Sequence, residues 1–333
     1  MDRALHKLVL FSTRKYPRSF LIKKSGITGS WWSKWANREL RHSYNKSRTD
    51  NKHRDTILSF IDSSDLDEVD YGRLPRILVL DIETAPTEAL VWRRWKQNVT
   101  PSQVIRRGYV LCWCAKWLRE DTMITCSQAD FGKEGTDDDL EVVQAAYDLF
   151  EMADIIVAHN GDRFDIPYLK RQWIKYGIPP VSPFRSADTL KMARSSAKFE
   201  ANSLSELAIF FGLGDKIQTG GQGLWNRCRR GEPEAFSEMV EYCCGDVELL
   251  ESVYLRLLPY AKNHPNVSLY GANTKMRCTR CGDTDLKVLD KNYYTATRVY
   301  TAFRCGGCGA VNRARVHAKS AEEMGNVLKQ GTC

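Results

Sequence analysis

The sequence contains no run of 18 or more apolar residues, so we expect no segment that spans a membrane. Met1 is followed by no long apolar stretch and no A-x-A-like cleavage site, which argues against a secretory signal. The eleven cysteines favour a metal site over a disulfide framework, because four of them make two C-x-x-C pairs and the others are single or adjacent. These absences predict a cytoplasmic protein in a reducing compartment.

Charge is distributed unevenly along the 333 residues, although the formal net charge is +8. Residues 1–60 carry 14 Lys/Arg against 4 Asp/Glu, a net +10, and residues 271–333 carry a net +6, which leaves −8 for residues 61–270. Basic ends around an acidic centre favour a polyanionic partner, with the central acids available for metal. The alternative interpretation is that the basic surfaces only keep small domains soluble.

Residues 1–61 are predicted to form a small all-α domain. Apolar residues and a turn glycine have the spacing of a helix-turn-helix core: Leu21, Gly26, Ile27, Trp32 and Trp35. The stretch 20–37 thus resembles the helix-turn-helix of phage-repressor-like domains. Its predicted recognition face is Ser30, Trp31, Ser33, Lys34 and Asn37, and its predicted phosphate contacts are Arg14, Lys15, Arg18, Lys23, Lys24, Arg38 and Arg41. A helical bundle that docks on a protein remains the alternative, and residues 62–73 are predicted to be an acidic linker.

The stretch from Arg76 to Thr84 predicts a buried strand, because its apolar run shows no polar alternation. Asp81 and Glu83 end this strand and point to the same face, since strand side chains alternate. Two carboxylates so close together repel each other unless a cation lies between them, and oxygen ligands recruit Mg²⁺ or Mn²⁺. The alternative is that both acids are solvated at a strand end.

A basic aromatic segment follows this strand: Trp92, Arg93, Arg94, Trp95, Lys96, Arg106 and Arg107. These side chains could stack on bases and pair with phosphates, or form a solvated helix with two buried tryptophans. Beyond it, residues 109–117 and 122–127 predict strands, residues 140–152 a helix and residues 154–158 a buried strand. The order predicts a mixed sheet with helices on its faces.

Two further stretches carry polar residues suited to chemistry. In the first, a strand end is followed by Asn160, Phe164 and Asp165, and an acid at a helix N-terminus is stabilised as a carboxylate. In the second, Tyr242 and Asp246 lie four residues apart on a helix predicted from residue 233 to 259, so they share a face. Taken singly, each pattern also occurs in helices without catalytic function.

In order and context, these motifs resemble those of the DEDD 3′–5′ exonucleases with tyrosine in the third motif (the DEDDy, DnaQ-like branch). The motifs are Asp81-x-Glu83, Asn160-x-x-x-Phe164-Asp165 and Tyr242-x-x-x-Asp246. Over residues 74–262 the sequence is most similar to the proofreading exonuclease domain of family B DNA polymerases, and too little chain remains for a polymerase. The resemblance implies an α/β RNase H-like fold, a mixed five-stranded sheet centred on the Asp81 strand and flanked by helices.

The resemblance also implies a reaction, in which phosphodiester bonds at the 3′ end of DNA are hydrolysed to nucleoside 5′-monophosphates. Two Mg²⁺ or Mn²⁺ ions would be held by Asp81, Glu83, Asp165 and Asp246. Tyr242 would orient the attacking water, and substrate would contact Thr84, Asn160 and Phe164. A weakly catalytic DNA-binding regulator on the nuclease fold and an exoribonuclease are the alternatives.

Two features near these motifs have open roles. Asp188 follows a predicted short strand, and a helix cap for residues 189–194 is favoured over a supporting role in the site. The glycine-rich segment 220–223 lies beside Trp225, Arg227, Arg229 and Arg230. It is either a loop that closes over a strand end or a connector.

Two C-x-x-C pairs with 23 residues between them mark residues 271–320: Cys278, Cys281, Cys305 and Cys308. Each pair is followed by glycine and a β-hairpin is predicted over residues 293–303, so the segment resembles a zinc ribbon with one structural Zn²⁺. Two disulfides are the alternative. The basic residues of the ribbon favour nucleic-acid binding, although zinc ribbons also bind proteins: Arg277, Arg280, Arg298, Arg304, Arg313, Arg315 and Lys319. The combination of modules suggests phage or mobile-element biology.

Overall fold

A computed structural model describes residues 74–93, 95–96, 98–214, 221–270 and 275–328. The predicted helix-turn-helix domain, the acidic linker and Gly220 lie outside the described residues. Within the described ranges, no helix is both long enough and apolar enough to cross a bilayer.

The described residues contain twelve strands and seven α-helices. The strands are β1 (Ile77–Thr84), β2 (Glu88–Ala89), β3 (Val104–Arg106), β4 (Val110–Trp117), β5 (Ile124–Ser127), β6 (Ile155–Ala158), β7 (Arg185–Asp188), β8 (Leu286–Val288), β9 (Tyr293–Tyr294), β10 (Val299–Tyr300), β11 (Ala302–Cys305) and β12 (Val311–Arg313). The helices are α1 (Leu140–Met152), α2 (Asp165–Lys175), α3 (Thr189–Ser196), α4 (Leu204–Phe210), α5 (Gln222–Arg229), α6 (Pro233–Leu257) and α7 (Ala321–Gly325).

A five-stranded mixed sheet in the order β5-β4-β1-β6-β7 forms the centre of this part of the chain. Strand β1 pairs antiparallel with β4 and parallel with β6, so it is buried between neighbours on both edges. This position explains the uninterrupted apolar run of its sequence. The predicted mixed sheet centred on the Asp81 strand, with helices on its faces, is confirmed.

The two faces of the sheet bury different sets of side chains. Leu78, Leu80 and Ile82 belong to an apolar cluster with α1 and α2, whereas Val79 belongs to the cluster that includes α6. Because side chains alternate along a strand, Asp81 shares the α6 face with Val79. The odd-numbered positions of β1 therefore direct its acids toward the longest helix.

The ends of several elements differ from their predicted positions. The strands expected from residues 109 and 122 begin at Val110 and Ile124. The helix expected to reach residue 259 ends at Leu257 and continues as a short 3₁₀ turn, Leu258–Tyr260. Proline has no backbone N–H to continue the α-helical pattern, so Pro259 accounts for this change.

The small β region predicted at the C-terminal end is present. Strands β12, β11 and β8 form one antiparallel sheet, and β9 pairs with β10 as the hairpin predicted for residues 293–303. The backbone N–H of Val267 donates to the carbonyl of Thr279 at 3.0 Å. This bond joins the segment after α6 to the first C-x-x-C turn.

Candidate active site

Three carboxylates meet at the C-terminal end of β1. Oxygen atoms of Asp81, Glu83 and Asp246 all lie within 4.8 Å of one another. Asp81 and Glu83 come from the central strand, and Asp246 comes from the helix that covers its face. The structure thus brings together acids that are 163 residues apart in the sequence, as the motifs predict.

The third motif lies on α6, a helix of 25 residues that packs along β1 and β4. Asp246 is 3% exposed and Tyr242, one helical turn earlier, is 8% exposed. The spacing of four residues places both side chains on the buried side of α6. Tyr242 is therefore held on the same face as the carboxylate group.

Asp165 begins α2 and is 1% exposed, but it is not one of the three acids whose oxygens group within 4.8 Å. Its Oδ1 accepts the backbone N–H of Ile82 at 3.2 Å, between the two acids of β1. Strand β6 pairs with β1 only as far as Val79, so this N–H lies beyond the parallel ladder. Burial raises the pKa of Asp165, and the charge of Asp188 raises it further.

Asp188 ends β7 and binds four backbone N–H groups. Its Oδ1 accepts from Leu190 and Lys191, which caps α3 as the sequence predicts. The same carboxylate accepts from Asn160 at 3.1 Å and from Asp162 at 3.3 Å. Asp188 therefore also fixes the turn that leads to Asp165.

The turn between β6 and α2 leaves no room for a side chain at Gly161. A Cβ at Gly161 would lie 2.4 Å from the Cβ of Ala158 and 3.6 Å from Oδ2 of Asp165. Asn160 itself adopts a left-handed backbone with φ of 62°, which asparagine tolerates better than most residues. The Asn-Gly pair thus lets the chain turn sharply from β6 into α2 beside the carboxylates.

Helix α5 contacts two parts of the site. The Trp225 ring meets the Tyr242 ring edge to face, with centroids 5.8 Å apart. Arg229, one turn further on α5, forms an ion pair with Glu88 of β2. The glycine-rich segment therefore leads into a helix that contacts both the tyrosine and the segment after β1.

Cys243 lies directly behind Asp81. Its thiol is 3.5 Å from the Asp81 carbonyl oxygen and 3.7 Å from Oδ2. Burial raises the pKa of Cys243, so the group remains an S–H donor toward both oxygens.

The sequence motifs assign no role in the site to three of these supporting residues: Gly161, Trp225 and Cys243. Each of them acts through a contact between distant segments or across a turn, which the local sequence does not reveal. The exception is Gly161, because an Asn-Gly dipeptide at a strand end indicates a turn.

The predicted substrate residues are neighbours of the acids in the sequence: Thr84 follows Glu83, Phe164 precedes Asp165, and Asn160 lies in the turn before them. Phe164 precedes α2, is 42% exposed and has its ring centroid 5.7 Å from that of Tyr168. The tryptophans of the basic aromatic segment are 94% exposed at Trp92 and 83% exposed at Trp95. The alternative of a helix with two buried tryptophans is therefore wrong.

The four cysteines of the predicted ribbon form a second group. Their sulfurs lie within 4.8 Å of one another, and the Cys278–Cys308 and Cys281–Cys305 sulfurs are 3.6 and 3.5 Å apart. These separations exceed the roughly 2.05 Å of a disulfide and approach the spacing of about 3.8 Å set by tetrahedral Zn–S bonds of about 2.3 Å. The Arg280 backbone N–H and the Asn312 amide both donate to the Cys278 sulfur at 3.4 Å.

A match to a protein-family model supports the RNase H-like fold expected from the sequence. A family model of the RNase H superfamily matches residues 112–258, a range that holds Asp165, Tyr242 and Asp246 and begins after Asp81 and Glu83. Among solved structures, the chain is similar to the family B DNA polymerase from the hyperthermophilic archaeon Pyrobaculum calidifontis, with 16% identity and a TM-score of 0.41. That match covers 69% of this chain and 32% of the polymerase chain, about a third of its length. No curated protein matches the sequence. The described sheet and helices form an RNase H-like fold.

Proposed function

We propose that this chain is a metal-dependent 3′–5′ exonuclease that acts on DNA and releases nucleoside 5′-monophosphates. The observation that carries this proposal is the grouping of Asp81, Glu83 and Asp246 within 4.8 Å. Asp81 and Glu83 lie at the end of β1, the central strand of the sheet, and Asp246 lies on α6, which packs against it. Tyr242, one turn from Asp246, supplies the hydroxyl expected of the tyrosine branch.

The donor set fits hard divalent cations. All three grouped side chains offer carboxylate oxygens, which Mg²⁺ and Mn²⁺ prefer over softer ligands. Asp81, Glu83 and Asp246 would hold the ions, with Asp165 beside them as a fourth ligand. When bound, a pair of such ions lowers the pKa of a water and neutralises charge on the leaving 3′ oxygen.

The chain's own groups then position the reactants. A free phenol has a pKa of about 10, so the Tyr242 hydroxyl is suited to orient the attacking water rather than to take its proton. Trp225 packs against the tyrosine ring and limits its movement. The Asn160 turn, held by Asp188, fixes the start of α2 and with it Asp165.

We propose that the 3′-terminal nucleotide contacts Thr84, Asn160 and Phe164. The half-exposed Phe164 ring offers a face on which a base can stack. The four cysteine sulfurs of the predicted ribbon fit one structural Zn²⁺, because protein side chains would fill all four coordination positions of the metal.

A degradation assay tests the proposed activity. A 5′-labelled single-stranded DNA is incubated with Mg²⁺, Mn²⁺ or EDTA, and single-nucleotide shortening from the 3′ end is expected only with metal. Asp81→Asn and Asp246→Asn are expected to lower the rate by about 10²–10³-fold, since metal-ion catalysis supplies several kcal/mol. Glu200→Gln, at an exposed acid outside the site, is the matched control.

Equal rates for wild type and Asp81→Asn would refute the enzyme proposal and favour a binding protein on a nuclease fold. Internal cuts in a circular single strand would instead indicate an endonuclease. A matched RNA oligonucleotide separates the two exonuclease substrates, because contacts to the 2′-OH decide between them.

A further inference from the structure

A β-hairpin rises directly from the candidate site. In β1, Glu83 pairs with Cys112 and Thr84 pairs with Val110 of β4, and the ladder continues as the Ala85 N–H donates to the Tyr109 carbonyl at 2.8 Å. Strands β2 and β3 then prolong the same pair of chain segments into a hairpin, residues 85–108, of which 85–93, 95–96 and 98–108 are described. We call it the tryptophan hairpin.

The base of the tryptophan hairpin is fixed against the nuclease fold. Arg229 of α5 forms an ion pair with Glu88. Arg171 of α2 donates to the Gly108 carbonyl at 2.7 Å, and a Cβ at Gly108 would lie 2.6 Å from the Tyr168 hydroxyl. Both helices that hold the hairpin also position residues of the candidate site, so the hairpin has a defined place beside that site.

The outer part of the hairpin exposes large apolar side chains. Trp92 is 94% exposed, Trp95 83%, Leu90 69% and Ile105 57%. Burial would stabilise each of these side chains further, and several large apolar side chains exposed on one short hairpin mark a binding surface. The fold has two apolar clusters on its sheet, and neither includes these residues.

The net positive charge of the hairpin indicates which class of molecule it binds. Residues 85–108 carry five Lys/Arg and one Asp/Glu, a net +4, within a region (residues 61–270) whose net charge is −8. Exposed aromatic rings interleaved with cations match the bases and phosphates of an unpaired strand. A duplex does not offer its base faces for stacking, and an uncharged partner would not use the cations.

We propose that the tryptophan hairpin is a stacking platform for single-stranded DNA, on which Trp92 and Trp95 hold the bases upstream of the 3′ end that enters the site. This inference rests on the proposed function for the direction of the strand. Trp92 is the ninth residue after Glu83, a reach of at most about 32 Å. That span suits the roughly 4–16 nucleotides that comparable single-strand sites cover.

Binding in EDTA tests the platform without any catalysis. The probe is a 5′-labelled dT20, and tryptophan fluorescence is recorded as it binds to the full chain. Trp92→Ala/Trp95→Ala is expected to weaken binding by about 30-fold or more and to remove most of the quenching, because stacking is worth about 1–3 kcal/mol per base and two bases lose it. Trp92→Phe/Trp95→Phe keeps a ring at each position and should recover most of the affinity.

Two controls separate stacking from charge and from misfolding. Tyr260→Ala removes an aromatic that is 70% exposed in the 3₁₀ turn after α6, and it should bind dT20 like wild type. An abasic 20-mer keeps the phosphates but lacks bases, so it should bind wild type and the double alanine variant alike. Wild-type affinity of the double alanine variant for dT20, or an equal loss on both probes, would overturn the platform.

The length dependence of hydrolysis links the platform to the site. Wild type should prefer dT20 over dT3 in kcat/KM by about tenfold or more, and the double alanine variant should lose this preference. If wild type binds through the tryptophans yet hydrolyses nothing, the proposed function fails while the platform stands. If hydrolysis occurs with the same length preference in both proteins, the platform fails while the proposed function stands.

Discussion

Trp225 and Tyr242 meet edge to face, with their ring planes at 78° and their centroids 5.8 Å apart. This contact joins α5 to the middle of α6, one turn from Asp246. Aromatic pairs of this geometry contribute about 0.5–1.5 kcal/mol beyond the burial of their area. The pair therefore restricts the tyrosine hydroxyl that we assign to the attacking water.

Trp225→Ala is expected to lower kcat about tenfold with little change in KM. The Tyr242 ring would lose a packing contact, and its hydroxyl would no longer hold the attacking water in a fixed position. Single-turnover rates on a 5′-labelled oligonucleotide measure this effect. Trp225→Phe retains an edge-to-face partner and should recover most of the rate. An unchanged kcat in Trp225→Ala would show that the tyrosine is positioned without the indole.

Asp188→Ala is expected to lower the free energy of unfolding by about 2 kcal/mol, measured by urea titration. The variant loses the cap of α3, a contribution of about 1 kcal/mol, and leaves the N–H groups of Asn160 and Asp162 without their acceptor. Activity should fall as well, since the turn before Asp165 would loosen.

Asp188→Asn is the matched control for that change. Its remaining oxygen can still accept from Asn160, Leu190 and Lys191, which all bond Oδ1 in the native chain. We expect less than half the loss seen with alanine. Equal losses in the two variants would mean that the negative charge, rather than hydrogen bonding, holds the turn.

His264 gives the protein a predictable sensitivity to acid. Burial lowers its pKa from 6.5 to about 4. Both ring nitrogens are engaged, with Nε2 2.8 Å from the Tyr254 hydroxyl and Nδ1 2.7 Å from the Pro265 carbonyl. The bond to the carbonyl raises the pKa, but burial outweighs it. The lowered pKa stabilises the fold above pH 6.5, and this contribution is lost as the pH falls from 6.5 toward 4.

The expected loss from His264 is up to about 3 kcal/mol in the free energy of unfolding across that range. Urea titrations of wild type and His264→Gln at pH 7.5, 6, 5 and 4.5 measure it as a difference. Carboxylates titrate in both proteins, so their effect cancels in the comparison. The two curves should converge as the pH falls, and parallel curves would assign the acid sensitivity elsewhere.

Removing a ribbon cysteine should remove bound zinc. The purified chain is expected to contain about one zinc atom, and Cys278→Ser or Cys305→Ser should contain little, with a lower Tm because the metal stabilises the folded ribbon. Metal analysis and thermal melting measure both effects. Cys126→Ser changes a buried thiol outside the group and should keep its zinc.

Alkylation after denaturation in EDTA separates zinc from the disulfide alternative. Without reductant, Cys278, Cys281, Cys305 and Cys308 should all be modified, because a zinc ligand becomes a free thiol when the metal leaves. Protection of the four until a reductant is added would indicate two disulfides instead.

The sequence by itself predicted the main strands and helices of the mixed sheet and the acids that β1 and α6 bring together. The apolar run ending in Asp81 and Glu83 specifies a central strand with two acids on one face, because strand periodicity leaves no other arrangement. The spacing of Tyr242 and Asp246 specifies one face of a helix for the same kind of reason. Both inferences depend only on neighbours along the chain.

Tertiary structure alone decided which distant groups meet. It selected Asp246 as the partner of the β1 acids, placed Asp165 on the Ile82 N–H, and gave Asp188 two roles where the sequence favoured a cap. It also decided that Trp225 packs on Tyr242 while Trp92 and Trp95 are largely exposed. These outcomes depend on how the helices pack on the sheet, and a local pattern of residues does not encode the partner across that packing.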